Sequence, residues 1–300
     1  RGLELLQAAE ESGANYLFEA SVGGGIPIIR PLCQCLAANY IEGIAGILNG
    51  TTNFILTMMI EKGMSFDEAL KIAQEKGYAE KDPTADVEGH DACRKVCILA
   101  SLAFGKHVYP NQVETEGITN ITLEDVSYIE NAGGVIKLLG QIKYINDNEI
   151  AAFVSPAVVY NGSQLASVKD VFNAILVRGD AVGDVCFYGP GAGKLPTASA
   201  VVADIIDCAK HSERKKIFGW GAGAEDYVVD YKERIEMPFY VRAKATPAEI
   251  NAKFSDVKFL SRKGQPSDEV AFITDIMTEN KLNKKLDGIN VINTIKVTNY

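Results

Sequence analysis

The spacing of apolar and polar positions changes several times along this chain, and each change marks an element. RGLELLQAAEESG (1–13) carries its apolar residues at helical intervals and reads as an amphipathic helix; residues 16–20 read as a short strand. A helix over 27–38 follows, with Pro27 at its first turn, then a strand rich in Ile and Gly over 40–48. After the turn Asn49-Gly50-Thr51 comes a helix over 53–61, for which Thr51 or Thr52 is the expected N-cap. Ser65 and Glu68 have the spacing of a capping box for a helix ending near Lys76, with Gly77 as its stop. Beyond residue 118 the period shortens. After a helix at 123–130, VIKLLGQIKY (135–144) and EIAAFVSPAVVY (149–160) flank Asn146-Asp147-Asn148 as a β-hairpin. A helix at 165–171 and strands at 174–178 and 185–188 follow. With 40–48 these predict a mixed sheet with helices on one face, an α+β layer. GPGAG (189–193) introduces a helix at 196–210, and 211–236 has no strong pattern and reads as a linker. After Met237 the order strand, short helix, two strands, helix, strand is β-α-β-β-α-β, a ferredoxin-like layout.

Three hundred residues allow one large or two to three ordinary domains. A net charge of -9 argues against nucleic acid, whose binders carry basic patches. No apolar run approaches the roughly 20 residues of a membrane span and no signal peptide opens the chain, so a soluble, cytoplasmic protein is expected. Cys33, Cys35, Cys93, Cys97, Cys186 and Cys208 lie mostly in apolar runs and read as buried reduced thiols. His90 with Cys93 and Cys97 could be drawn as a metal site, but no fourth ligand lies nearby.

Candidate chemistry concentrates in GYAEKDPTADVEGHDACRK (77–95). Glu80, Asp82, Asp86, Glu88 and Asp91 fall within a dozen residues, after Glu75, and Pro83 and Gly89 divide the run into a turn, a short helical piece and a longer helix to about Phe104. On that helix Asp91 and Lys95 stand four apart, acid N-terminal to base, the better order for an ion pair. The helix is apolar almost all round, with only Arg94 and Ser101 offering a wet face, so it is expected to be buried. Lys95 would then sit at a desolvated or pocket-lining position, where its pKa falls and proton transfer becomes possible. A surface ion pair is the plainer reading of the same spacing.

A dinucleotide-binding unit needs a glycine-rich turn between its first strand and helix and an acidic residue about 20 further on. GGGIP (23–27) has glycines after a predicted strand, but its spacing is wrong and no acidic strand end follows at that distance.

The 77–95 stretch closely resembles the signature of homoserine dehydrogenases, and FEASVGGGIPIIRPL, GILNGTTNFIL and FYGPGAGKLPTASAVVADI resemble further blocks of that family in the expected order. The match covers roughly residues 1–210. The resemblance implies an NAD- or NADP-dependent oxidoreductase that interconverts L-homoserine and L-aspartate 4-semialdehyde in threonine, methionine and isoleucine biosynthesis. In that family the coenzyme turn lies ahead of everything present here, so the chain is expected to be a fragment with impaired coenzyme binding. The implied division is 1–17 and 189–212 as remnants of a Rossmann-type α/β nucleotide-binding domain, 18–188 as the catalytic and dimerisation domain, 213–236 as linker, and 237–300 as an ACT-like domain. By the same resemblance Lys95 exchanges a proton with the substrate oxygen and Asp91 orients it. Glu80, Asp86, Asp91 and Tyr78 meet the substrate, and Gly77, Glu80, Gly189, Gly191 and Gly193 border the coenzyme. Glu19 with the carbonyls of Val22, Gly24 and Ile26 holds a monovalent cation, Na+ or K+; without an ion the same loop is a glycine-rich strand-to-helix turn. A homodimer through the mixed sheet is implied, or a tetramer through the ACT-like domain.

The C-terminal module departs from the ACT pattern at its first turn, Ala245-Thr246-Pro247-Ala248-Glu249, which lacks the usual glycine and puts amino-acid sensing in doubt. His90 and Cys93 also replace small or apolar residues, beside but not on the implied site positions. Two other classes fit the residues alone: a divalent-metal enzyme using Glu80, Asp86 and Asp91, and a non-catalytic dimerising or amino-acid-sensing module.

Overall fold

The structure, a computed structural model, describes residues 2–213 and 217–300. Arg1, at the head of the first expected helix, and 214–216, inside the expected linker, lie outside the described residues. In chain order the helices are α1 (Gly2–Ser12), α2 (Gly50–Lys62), α3 (Phe66–Glu75), α4 (Thr84–Val87), α5 (His90–Phe104), α6 (Leu123–Asn131), α7 (Lys194–Lys210), α8 (Tyr231–Arg234), α9 (Pro247–Lys253) and α10 (Glu279–Leu286). The strands are β1 (Ile41–Ile47), β2 (Glu114–Thr115), β3 (Gly134–Asn146), β4 (Glu149–Tyr160), β5 (Phe172–Gly179), β6 (Gly183–Pro190), β7 (Glu236–Met237), β8 (Phe239–Lys244), β9 (Val257–Leu260), β10 (Glu269–Thr274), β11 (Met277–Thr278) and β12 (Asn290–Thr298).

The long hairpin β3–β4 is the spine, paired from Gly134↔Tyr160 to Asn146↔Glu149. Because side chains alternate between faces, Ile136, Leu138 and Ile142 enter the core beneath α2, α5 and α6, whereas Leu139, Ala157 and Val159 face the other way. Gly140 lets α5 approach: a Cβ there would lie 2.5 Å from Val96. The sheet order is β6-β5-β1-β3-β4-β12-β8-β10-β9, with β2 beside β4. It is mixed, since β2 and β12 run parallel to β4 and the other pairs are antiparallel. The C-terminal strands have the ferredoxin-like order β12-β8-β10-β9, with α9 and α10 on a second core around Phe239, Val241, Phe254 and Phe272. Through the β12–β4 pairing one sheet runs through both parts.

Several sequence expectations are corrected by local chemistry. Residues 16–20 form no strand; a short 3-10 turn, Glu19–Ser21, stands there. The helix expected over 27–38 shortens to 29–35, with its larger part, Pro31–Cys35, π-helical. Asn49, not a threonine, caps α2, and only a 3-10 turn, Gln164–Ser167, occupies the helix expected at 165–171. Ser101 is fully buried: its hydroxyl donates to the Cys97 carbonyl at 2.7 Å and accepts from the Val108 N–H at 3.0 Å. The expected linker packs, with Tyr227 and Tyr231 buried and the Trp220 indole N–H donating to His107 Nδ1 at 2.9 Å. The centre of the sheet's second face is covered in cis, because Leu165, Ala166 and Val168 lie over Ala45, Leu139 and Leu176. All six cysteines are free, but only Cys93 and Cys97 are buried, and Cys35 and Cys186 are exposed.

Candidate active site

The site is built where β1 ends and α2 begins. Asn49 is in the extended region, so its side-chain oxygen turns back to cap α2, accepting from the Thr52 N–H at 2.9 Å. That use of the oxygen aims the amide nitrogen outward, and it donates to two acids at once: Asp86 Oδ1 at 2.7 Å and Asp91 Oδ2 at 2.9 Å. The acids can share one amide because Gly89, with φ of +81°, folds the chain back between α4 and α5. Its bare Cα also fits close to β2, since a Cβ would lie 2.9 Å from Thr115 Cγ2.

One turn along α5, Lys95 Nζ donates to Asp91 Oδ2 at 2.7 Å and to the Leu48 carbonyl at 2.8 Å. The helical spacing thus produces an ion pair that is more than a surface contact, with side-chain exposures of 19% for Lys95 and 33% for Asp91. An ammonium has three N–H donors, and two are committed here. What results is a chain of polar contacts, Asp86–Asn49–Asp91–Lys95–Leu48, with one lysine proton left for a ligand.

The adjoining loop, between α3 and α4, is pinned to α2. Thr51 Oγ1 donates to the Tyr78 carbonyl at 2.8 Å, and the Tyr78 ring meets Phe54 edge-on at 5.1 Å. Gly77, left-handed at φ +74°, borders open space. Glu80 is exposed, and its carboxylate forms no hydrogen bond or ion pair among the described residues. Asp82 is occupied locally, accepting from the Thr84 hydroxyl at 2.6 Å and the Thr84 N–H at 3.1 Å, which holds its pKa below the usual carboxylate value.

The two glycine-rich loops meet. The Gly25 N–H donates to the Pro190 carbonyl, and a Cβ on Gly24 would come within 2.3 Å of the Gly191 carbonyl oxygen. Gly191 in turn lies on Asn173, whose amide would be 2.2 Å from a Cβ. Gly189 is the penultimate residue of β6, and Gly193 precedes α7. These glycines lie at the same end of the sheet as Asn49, since Ala174 pairs with both Ile47 and Tyr188.

Glu19 is buried: Oε1 accepts the N–H groups of Ile28 and Ile29 at 2.7 Å each, and Oε2 that of Arg30 at 2.8 Å. Asp204 on α7 completes this corner, accepting from the Glu19 N–H at 2.9 Å and from Arg30 Nη2 at 2.7 Å. Val22 and Ile26 are buried.

Of the expected residues, Asp86, Asp91 and Lys95 come together, Gly77, Tyr78 and Glu80 lie on the neighbouring loop, and Gly24 and Gly191 touch. The spacing arguments missed Asn49 as a bridge between acids, the Leu48 carbonyl, and the Arg30–Asp204 pair. Only Asn49 carried a signal, as a favourable cap before a helical run. Among the described residues no three His, Cys, Asp or Glu side chains converge to hold a metal ion, so neither His90 with Cys93 and Cys97 nor Glu80 with Asp86 and Asp91 forms such a group. No helix among them is long and apolar enough to cross a membrane.

The family described as homoserine dehydrogenase matches residues 27–206. The chain is similar to a homoserine dehydrogenase of Synechocystis, 50% identical over 209 residues that cover 69% of this chain and 48% of the relative. To that of Bacillus subtilis it is 47% identical over 210 residues, 70% of this chain and 48% of the relative. It spans about half the length of the curated relatives it matches. Among solved structures it resembles a homoserine dehydrogenase from Thiobacillus denitrificans, with a TM-score of 0.87 at 37% identity, covering 99% of this chain and 73% of that one. It also resembles a hyperthermophilic archaeal homoserine dehydrogenase mutant in complex with NADPH, with a TM-score of 0.58 at 32% identity, covering 69% and 59%.

Proposed function

The chain belongs to the homoserine dehydrogenase family, and on that premise we propose that it serves the reversible, NAD(P)-dependent oxidation of L-homoserine to L-aspartate 4-semialdehyde. The observation that carries this reading is the polar chain from Asp86 through Asn49 and Asp91 to Lys95, which leaves one lysine N–H for a substrate oxygen. In the reducing direction Lys95 donates a proton to the oxygen that was the aldehyde carbonyl, and in the oxidising direction it takes the hydroxyl proton back. Asp91 and the Leu48 carbonyl hold the amine in place, and Asp86 is held against the same Asn49 amide. Glu80, exposed and without an internal partner, is free to meet the substrate ammonium, with Tyr78 beside it.

NAD or NADP, when bound, accepts and returns the hydride. The residues present fit its nicotinamide end: Gly77 borders open space, and Gly189, Gly191 and Gly193 lead into the N-terminus of α7. The outward face of α7, with Leu195, Val202 and Ile205 exposed, suits contact with a nucleotide-binding domain. Glu19 Oε2 accepts one N–H and keeps room for a monovalent cation, which the carbonyls of Val22, Gly24 and Ile26 would help to hold. The order β12-β8-β10-β9 supports an ACT-like C-terminal unit, and the exposed Phe172, Val182 and Tyr188 support a homodimer.

The test is Lys95→Ala, assayed in the chain extended by a nucleotide-binding domain of the family. Homoserine oxidation should fall about 10²-fold or more in kcat with an unchanged circular dichroism spectrum. A kcat within about threefold of the parent would remove Lys95 from the chemistry.

A further inference from the structure

A cavity of about 140 Å³ lies on the sheet face opposite α2, α5 and α6, where β3 and β5 meet the end of β12 and residues 236–238. Gln141 and Lys143, two apart on β3, point to this face. Lys143 and Arg178 both pair with Gly43, so they flank a position without a side chain. The Tyr300 ring fills that space, its hydroxyl 3.0 Å from where a Cβ on Gly43 would be. Lys143 Nζ stands 5.6 Å and the Arg178 guanidinium 5.1 Å from the ring centroid.

The two cations are not equally matched. Arg178 is held by Asp184 through contacts of 2.6 and 2.8 Å. Lys143 has no carboxylate or hydrogen-bond acceptor among the described residues, and burial, then the charge of Arg178, push its pKa below the usual lysine value. Gln141 is 1% exposed, and its Nε2 is buried without an acceptor, a state native interiors avoid. Glu236, the one acid on the lining, is exposed. Two donors on one cavity wall thus lack an acceptor among the described residues.

We propose that this cavity binds a small aliphatic carboxylate: Lys143 Nζ and Gln141 Nε2 donate to its oxygens, and its body lies against Met237, Ile276 and Val297. A cavity of about 150 Å³ holds a benzene, which limits the ligand to roughly six heavy atoms. The site is independent of the dehydrogenase reading.

The probe is sodium isobutyrate, against sodium chloride at matched ionic strength, read by thermal unfolding of the 300-residue chain. At ten times its dissociation constant it should raise Tm by roughly 2 °C. The shift should vanish in Lys143→Met and in Gln141→Leu, and in Ile276→Arg, which fills the mouth from a position 59% exposed and leaves the core intact. No shift in the parent overturns the proposal, as does an equal shift in parent and all variants. A shift with inorganic phosphate but none with isobutyrate overturns the carboxylate assignment.

Discussion

Asn49 does with one side chain what the neighbouring acids cannot do for themselves: its oxygen closes a helix end while its nitrogen keeps two carboxylates in register. Asn49→Ala removes the cap, at about 1 kcal/mol, and leaves Asp86 and Asp91 without their common donor. We expect a lower Tm and a kcat reduced about tenfold or more in the coenzyme-competent protein; turnover equal to the parent would show that the bridge is only structural. Lys137 gives a second residue-scale prediction. It is 2% exposed, donates to Asn53 Oδ1 and the Val168 carbonyl, and burial, then Lys169, lower its pKa to about 8. Unfolded, it titrates near 10.5. Between those values the unfolded chain binds more protons, so stability from this group rises with pH there and is flat below about 8. Thermal melts from pH 8 to 10 should show the parent gaining on Lys137→Met; a constant difference would mean that Lys137 keeps its proton. The Asp91–Lys95 pair was legible from helical spacing alone, whereas the Asn49 contacts were not, because Asp86 and Asp91 stand 37 and 42 residues away.

Elements were legible where their own pattern decided them. The β3–β4 hairpin follows its alternation, and the Ser65–Glu68 box starts α3 as the spacing predicts, with the Ser65 N–H donating to Glu68 at 2.8 Å. They were illegible where a distant group decided. The turn at Pro31–Cys35 starts where Glu19 gathers the N–H groups of residues 28–30, a choice no local pattern records. The glycine loops follow the same division, and two substitutions separate its causes. Gly77→Ala meets no atom but must hold φ at +74°, which should cost about 1 kcal/mol. Gly191→Ala would drive a methyl into Asn173, whose amide stands 2.2 Å from the new Cβ, and should cost about 1–3 kcal/mol. Denaturant titrations rank the two, and a smaller loss for Gly191→Ala would show that the Asn173 side chain yields freely.

For the whole molecule, composition and element order pointed to a mixed sheet and a ferredoxin-like end, but not to their union, because the pairs from Ala157↔Lys296 to Val159↔Thr298 join strands far apart in sequence with nothing in either to name the other. The pairing is reinforced by buried Lys296, which reaches Glu116 at 3.2 Å and Glu279 at 3.4 Å. The cis cover over the second face reduces the apolar area left for a partner, yet Phe172 and Tyr188 remain stacked and exposed at its edge. Sedimentation of the 32.4 kDa chain at micromolar concentration should give a dimer, and Tyr188→Lys should shift it toward monomer; a parent that sediments as a monomer ends that reading. The 300 residues contain no strand-to-helix turn with the dinucleotide spacing, so by themselves they should bind NADPH only at about millimolar or weaker. Fluorescence titration checks this, and a micromolar constant would place phosphate recognition within this chain.

The insertion of β12 between β4 and β8 also governs how the polypeptide behaves when cut or incompletely made. Ala157, Val158 and Val159 of β4 are wholly buried, and on that edge they meet residues 296–298. Without β12 they become an apolar, unpaired border with open N–H and C=O groups, the kind of surface that recruits another chain. Residues 290–298 therefore guard against self-adhesion as well as completing the small module, and the β4 border stays sticky until they pair with it.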